Sequence, residues 1–352
     1  MKDSTRFAGV DLGDKTSEVF LADEAGKCVE RAKVRTTQAG IRKYFEGRER
    51  MKVALEVGTH SPWVSRLVAE LGHEVVVANA RKVRLISQND KKNDRKDAEL
   101  LARLVRVDPE LLSPIEHRSA EDSMALESVK ARAVLVRART MLLNHVRQVV
   151  KSQGHGIPDC SAEVFPERAR EHLDEGMRAV LNPVLNEIQS SPLQVKKLDR
   201  QIADLQGRKY PETKILRQVP GVGPITALTY RLVIQSPARF DDPRQVGSYL
   251  GLRPRQDQSG TTDKQLRITK AGDPYLRSLL VGCAQYILGR HGPDSDLRRW
   301  GLTLAGRGGK NAKKRAVVAV ARKLSVLMMA LWKSGQVYES LRANPCAQKD
   351  AA

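Results

Sequence analysis

Residues 7–13 read Phe7-Ala8-Gly9-Val10-Asp11-Leu12-Gly13, a short apolar strand carrying one acid. Gly13-Asp14-Lys15 then marks a hairpin turn, and Thr16 to Ala22, with Val19, Phe20 and Leu21, reads as a second strand. Cys28 to Thr36 makes a third. Thr37 is placed to cap a helix carrying Ile41, Tyr44 and Phe45. Lys52-Val53-Ala54-Leu55-Glu56-Val57-Gly58 is another strand with an acid near its end. Trp63 to Leu71 reads as helix, Glu74 to Ala78 as strand and Ala80 to Ser87 as helix. Three strands, helix, strand, helix, strand and then helices form an α/β pattern.

An acid inside an apolar strand is costly unless it is paired or ligates a cation. Asp11 and Glu56 are both placed this way, in different strands. A second acidic feature follows at Asn93-Asp94-Arg95-Lys96-Asp97-Ala98-Glu99-Leu100-Leu101-Ala102. Ala98, Leu101, Ala102 and Val105 recur at helical spacing, so a helix is expected to begin here, with Asp94 and Asp97 on one face. Lys91, Lys92, Arg95 and Lys96 relieve part of the repulsion between the two carboxylates, and a divalent metal would relieve more. The competing reading is an ordinary acid-rich first turn. Strand-end residues can converge on one sheet edge, which would gather Asp11, Glu56, Asp94 and Asp97 as hard oxygen ligands for Mg²⁺ or Mn²⁺. Two such ions about 4 Å apart clamp the attacking and leaving oxygens in phosphoryl transfer. Asp14 and Asp90 are rival acids nearby.

Composition narrows the partner. The 352 residues include 61 Lys and Arg against 41 Asp and Glu, a net charge of +20 that points to a polyanion, most simply nucleic acid. Basic residues are spread along the chain rather than packed on one amphipathic helix, which argues against a membrane surface. Aromatics make up only 4%, too few for a platform built on base stacking. Cys28, Cys160, Cys283 and Cys346 are far apart and form no Cys-x-x-Cys pair, so no zinc site is expected and a reducing cytoplasm fits. The N-terminus lacks the apolar core of a signal peptide. The apolar run from Ala316 to Trp332 is broken by Arg322 and Lys323 and reads as a buried or amphipathic helix, not a membrane span.

Three regions are expected: 1–115 as the α/β domain, 116–210 as a helical or coiled-coil linker, and 211–345 as a mostly helical C-terminal domain. Ser123 to Ser152 is a long helical stretch studded with arginines, broken by Gly154-His155-Gly156-Ile157-Pro158. Glu167 to Leu181 and Leu185 to Arg208 read as further helices. His145, His155 and His172 lack metal-ligand spacing. Pro220-Gly221-Val222-Gly223 before an apolar helix resembles a helix-hairpin-helix, whose backbone N–H groups suit a phosphate; a plain tight turn competes. Arg253 to Thr262 is a polar loop containing Ser259-Gly260, ordinarily just a turn, and Ser259 has no Ser-His-Asp partner set. Gly306 to Arg315 is a basic, glycine-rich loop whose Lys310, Lys313, Lys314 and Arg315 are read as phosphate contacts. Residues after about 344 read as a disordered tail.

Gly9-Val10-Asp11, Leu55-Glu56-Val57 and Asp94-Arg95-Lys96-Asp97-Ala98 resemble, in order and context, the acidic tetrad of the RNase H-like (RuvC-like) domain of the DEDD transposases of insertion sequences, the IS-110 family. The resemblance implies Asp11, Glu56, Asp94 and Asp97 as catalytic metal ligands. Lys92-Asn93 departs from the Lys-Thr expected before Asp94 and touches no ligand. The C-terminal part is similar to the same family's serine-bearing domain, where a Ser-Gly pair precedes an Ile-x-Lys-x-Gly-x-x-x-Leu-Arg segment, here Ile268 to Arg277. That implies Ser259 as nucleophile on a DNA phosphate, through a covalent phosphoserine link, with Thr261 and Thr262 as the nearest rival hydroxyls. Lys270 and Arg277 are assigned to phosphate contact. The implied partners are element-end DNA, target DNA and a structured guide ("bridge") RNA. The implied assembly is a homo-oligomer, a dimer or tetramer, in which Ser259 of one protomer meets the acids of another. The implied place is the cytoplasm, at the nucleoid.

Three other readings make different demands. A metal-dependent nuclease or Holliday-junction resolvase would use the acids without Ser259. A catalytically idle nucleic-acid-binding protein would need none of them. An actin-like sugar kinase would explain Gly9-Val10-Asp11-Leu12-Gly13, but the chain's basicity and the absence of a clear second glycine-rich phosphate motif argue against it.

Overall fold

Strand β1 (Arg6–Asp11) is central in a five-stranded sheet of order β3-β2-β1-β4-β5. On one side it pairs antiparallel with β2 (Thr16–Ala22), which pairs antiparallel with β3 (Cys28–Arg35). On the other it pairs parallel with β4 (Met51–Glu56), and β4 pairs parallel with β5 (Glu74–Ala78). Parallel neighbours need crossovers. These are α1 (Gln38–Phe45), between β3 and β4, and α2 (Ser61–Glu70), between β4 and β5. As expected, Thr37 caps α1, its Oγ1 accepting from Gly40 N at 3.1 Å.

Side chains alternate across the sheet. Ala8, Val10, Val53 and Leu55 pack with Ile41, Phe45, Val64 and Val68 in the core shared with α1 and α2. The opposite face receives α3 (Asp94–Val107), whose Leu101 and Val105 join Ala54 and Ala78, while Ala98 and Ala102 join Phe20 and Ala22.

This computed structural model describes residues 6–79, 94–259 and 262–342, without the side chains of 257–265. The helix expected at 80–87, the rival Asp90, the basic pair Lys91 and Lys92, Thr261 and the tail after 344 lie outside the described residues. The chain divides into two units, Met1–Ser119 and Ala120–Ala352.

In the second unit α4 (Ala120–Ser152) packs along α6 (Glu175–Lys209), with the short α5 (Phe165–Glu171) beside them. The break expected between Leu181 and Leu185 does not occur. The helix runs through Pro183 and Pro192 and starts instead at Glu175, capped by Asp174, whose Oδ1 accepts from Met177 N at 2.7 Å. Leu181, Leu185 and Ile188 continue one buried stripe past Pro183. An interior proline costs about 3 kcal/mol, while each buried Leu or Ile contributes about 1.5–3 kcal/mol, so the stripe prevails.

The long helices also share a core with the C-terminal region. Ala125, Leu126 and Val129 of α4 and Ile202 of α6 cluster with Leu228, Tyr230 and Leu232 of α8 (Pro224–Ile234). The regions separated at residue 210 in the sequence reading therefore fall in one unit. Further members are α7 (Thr213–Leu216), α9 (Gln245–Tyr249), α10 (Pro274–Leu288), α11 (Asp296–Gly306) and α12 (Ala312–Ser334). Tyr230 donates through its hydroxyl to Ser325 O at 2.7 Å, tying α8 to α12.

Residues expected as a polar loop form instead a hairpin of β6 (Pro254–Ser259) and β7 (Thr262–Ile268). Gln-Asp-Gln-Ser contains no apolar residue, so the apolar run that marks β1, β4 and β5 is missing here. Among the described residues, no helix is long and apolar enough to cross a membrane.

Candidate active site

Asp11 is the last residue of β1 and Glu56 the last of β4. The parallel register pairs Val10 with Leu55, so the two acids end neighbouring strands at the same edge of the sheet. Asp11 follows Gly9 by two and Glu56 follows Ala54 by two, which puts both on the face covered by α3. Gly9 makes that cover possible. A Cβ there would lie 2.0 Å from the Ala98 carbonyl oxygen and 2.5 Å from Ala102 N. The backbone of α3 therefore rests directly on β1 at Ala98, one turn beyond Asp94 and next to Asp97.

The two acids of α3 differ. Asp97 is buried, with 4% of its surface exposed, whereas Asp94, at the first residue of the helix, is exposed. Their spacing of three places them on one helical face. Asp14, the rival in the β1–β2 turn, leaves its side chain almost wholly in solvent, facing His60 Nε2 at 3.6 Å. His60 Nδ1 in turn accepts from Trp63 Nε1 at 3.1 Å. These contacts tie the turn after Asp11 to the loop after Glu56.

One acid here escaped the sequence reading. Glu18 of β2 pairs across from Asp11 and is largely shielded. It lies 3.8 Å from Arg95 Nε and 3.6 Å from Lys33 Nζ. The only sequence signal was the hairpin register, which places residue 18 opposite residue 11. Among the described residues, no group of three or more Asp, Glu, His or Cys side chains is gathered closely enough to hold a metal ion. The acids share a face and an edge without closing into a cage. The donor set itself, all carboxylate oxygen, suits a hard divalent cation.

In the second unit Ser259 ends β6, paired with Thr262 across the hairpin tip. The hairpin base is fixed by Thr269 N donating to Arg253 O at 2.9 Å and Lys270 N to Gly251 O at 3.1 Å. Lys270 is exposed and holds a positive φ of 57°. Arg277 turns inward, its Nη1 donating to Leu250 O at 2.9 Å and Ala271 O at 2.5 Å, so this guanidinium braces the hairpin base. Gly221, at φ 87°, packs on Tyr286 of α10, and Gly223 caps α8 beside open space. Lys310 is exposed in the loop before α12, and Lys313, Lys314 and Arg315 are exposed on its first turn.

Comparison with known proteins covers both units. A family model for DEDD transposases, described as "Transposase", matches residues 8–153, and one described as "Transposase IS116/IS110/IS902 family" matches residues 213–298. A "Probable family 20 transposase" of Pseudomonas aeruginosa is 28% identical over 92% of this chain and 95% of its own length. The transposase-family protein y4pF/y4sB of Sinorhizobium fredii is 30% identical over 84% of this chain and 76% of its own. The "Transposase for insertion sequence element IS1111A" of Coxiella burnetii is 25% identical over 96% and 92%.

Proposed function

The chain belongs to the IS110 family of insertion-sequence transposases, and from that premise we propose that it cuts and rejoins DNA strands with the acidic face of the first unit and Ser259 of the hairpin. The observation that carries this reading is the placement of Asp11 and Glu56 at the ends of adjacent parallel strands, under a helix that opens with Asp94 and Asp97. A mixed sheet with β1 at its centre supports an RNase H-like assignment for this unit.

Asp11, Glu56, Asp94 and Asp97 would hold the divalent metal, Mg²⁺ or Mn²⁺. Drawing these carboxylates together around one point is repulsive, and a cation would offset that repulsion. When bound, the metal supplies charge neutralisation at the phosphate under attack. Ser259 Oγ forms a bond to phosphorus while the strand's own P–O bond breaks. The serine proton leaves with the departing sugar oxygen, and a second strand's hydroxyl later reverses the step to release the enzyme. Lys270, Lys310, Lys313, Lys314 and Arg315 supply positive charge for DNA phosphates, and Gly221 and Gly223 offer backbone N–H groups to a phosphate. The partners are element-end and target DNA. A basic, aromatic-poor chain suits selection of those DNAs by base pairing through a bridge RNA, with the chain acting as a homo-oligomer at the nucleoid.

The test is strand cleavage of labelled element-junction DNA with Mg²⁺, the flanking non-coding RNA, and either intact protein or Ser259→Ala. Loss of cleavage in Ser259→Ala supports the proposal. Unimpaired cleavage would move the chain to the metal-dependent nuclease or resolvase reading.

A further inference from the structure

Beside the hairpin that carries Ser259 lies a hollow of about 460 Å³. Arg244, Arg253 and Arg322 line it, with Ser248 and Gln256 between them. Arg244, just before α9, and Arg253, in the turn before β6, belong to one segment of the chain, and Arg322 reaches them from the exposed side of α12. All three are exposed, and among the described residues no carboxylate lies within ion-pair distance of any of them. Arg253 Nη2 donates to Gln256 Oε1 at 3.1 Å, which holds that guanidinium against the strand. A second hollow of about 430 Å³ shares Arg253 and Gln256 and adds Arg255. The first strand of the hairpin thus rises between two arginine-lined hollows.

Three like charges converging without acids repel one another, and an anion relieves the repulsion. Among the described residues the first lining offers donors and no carboxylate, so the anion is what it selects. It contains no aromatic ring, so it has no surface on which to stack a free nucleotide's base. What remains is a phosphodiester backbone, gripped by guanidinium forks. Gln256 and Ser259 are three residues apart on β6, about 10 Å at strand rise and on alternate faces of the strand, so a nucleic-acid strand that reaches both passes across the hairpin. That span is the length of a few nucleotides.

We propose that Arg244, Arg253 and Arg322 form a phosphate clamp for the DNA strand being cut, seating backbone phosphates next to the one presented to Ser259. The assignment rests on the serine-hairpin reading above, and neither the acidic face nor the basic loop before α12 takes part in it.

The test measures binding without metal, so no cleavage is needed. Fluorescein-labelled single-stranded DNA of mixed sequence and RNA of the same sequence are titrated with full-length protein over a range of salt. The proteins are the intact chain, a triple variant Arg244→Ala, Arg253→Ala, Arg322→Ala, and the matching triple Lys variant. The slope of log affinity against log salt falls by about 0.7 for each single-strand phosphate no longer neutralised, so a drop of about 0.7–2 is expected for DNA in the Ala variant, with the slope kept in the Lys variant. An unchanged DNA slope overturns the clamp, as does a loss confined to RNA. A fall in both triple variants, with a lowered melting temperature, assigns the arginines to folding and also overturns it. A Ser259–DNA link alongside an unchanged slope leaves the function standing and removes the clamp; a reduced slope with no such link does the reverse.

Discussion

Gly9 of β1 lies directly against Ala98 of α3, with no room for a Cβ between strand and helix. Gly9→Ala must lift α3 off the sheet, because the obstructing atoms are backbone rather than a flexible side chain. Overpacking of this kind costs about 1–3 kcal/mol. The expected outcome is a lower unfolding midpoint together with a larger loss of Mg²⁺-dependent cleavage, since Asp94 and Asp97 move with the helix. Melting curves and cleavage rates on the same preparation check it; unchanged values in both would show that α3 does not position these acids.

Glu18 faces Arg95 across the same surface, and its pairing is polar and only partly buried. Glu18→Gln is therefore expected to change stability by less than about 1 kcal/mol. Arg95, between the two acids of α3, loses an anchor in that variant. The Mg²⁺ concentration giving half-maximal cleavage should rise while the melting temperature holds. An Mg²⁺ profile identical to the intact protein's would remove Glu18 from the site.

Much of this arrangement was legible in the sequence, because strand and helix periods are local. The short apolar runs that end in Asp11 and Glu56 and the helical spacing after Asp94 give β1, β4 and α3 directly. Glu18 was hidden because its place opposite Asp11 depends on pairing between strands. The hairpin bearing Ser259 was hidden for lack of an apolar run, and Arg277 because an inward-turned arginine reads the same as a phosphate-binding one. The continuity of α6 through Pro183 depended on a buried stripe whose partners lie elsewhere in the chain.

Arg231 of α8 bridges two acids, donating from Nη1 to Asp122 Oδ2 at 2.6 Å and from Nε to Glu212 Oε1 at 2.7 Å. Tyr210 also donates to Asp122, and burial, reinforced by that carboxylate, pushes its phenol up to about 12. Arg231→Met leaves two partly buried carboxylates facing each other. The expected loss is about 2–3 kcal/mol, below the range for a fully buried pair because the side chains keep some solvent. Chemical denaturation measures it, and a loss under about 0.5 kcal/mol would show that solvent already screens the network.

His117 Nε2 lies 2.9 Å from Ser61 Oγ at the start of α2. Burial, then the charges of Arg66 and Arg118, hold its pKa below the ordinary 6.5. The unfolded chain therefore binds the proton more readily than the folded one, and stability rises with pH across this window. The contribution is fully present above about pH 6.5 and is lost as pH falls through the lower folded value. Melting between about pH 7.5 and about pH 5.5 should show the decline in the intact protein and a shallower one in His117→Gln. Parallel slopes would assign the decline to other groups.

The most direct measurement is to identify the atom that becomes joined to DNA. Protein incubated with element-junction DNA, Mg²⁺ and the flanking RNA is denatured, digested with trypsin and nuclease, and examined by fragmentation mass spectrometry. Trypsin releases Gln256 to Lys264, which carries Ser259, Thr261 and Thr262 on one peptide. The account predicts a nucleotide phosphate on Ser259 that is absent from both Ser259→Ala and Asp97→Ala preparations. Cleaved DNA with this peptide unmodified, or a modification on Thr261 or Thr262 that persists in Ser259→Ala, would contradict it.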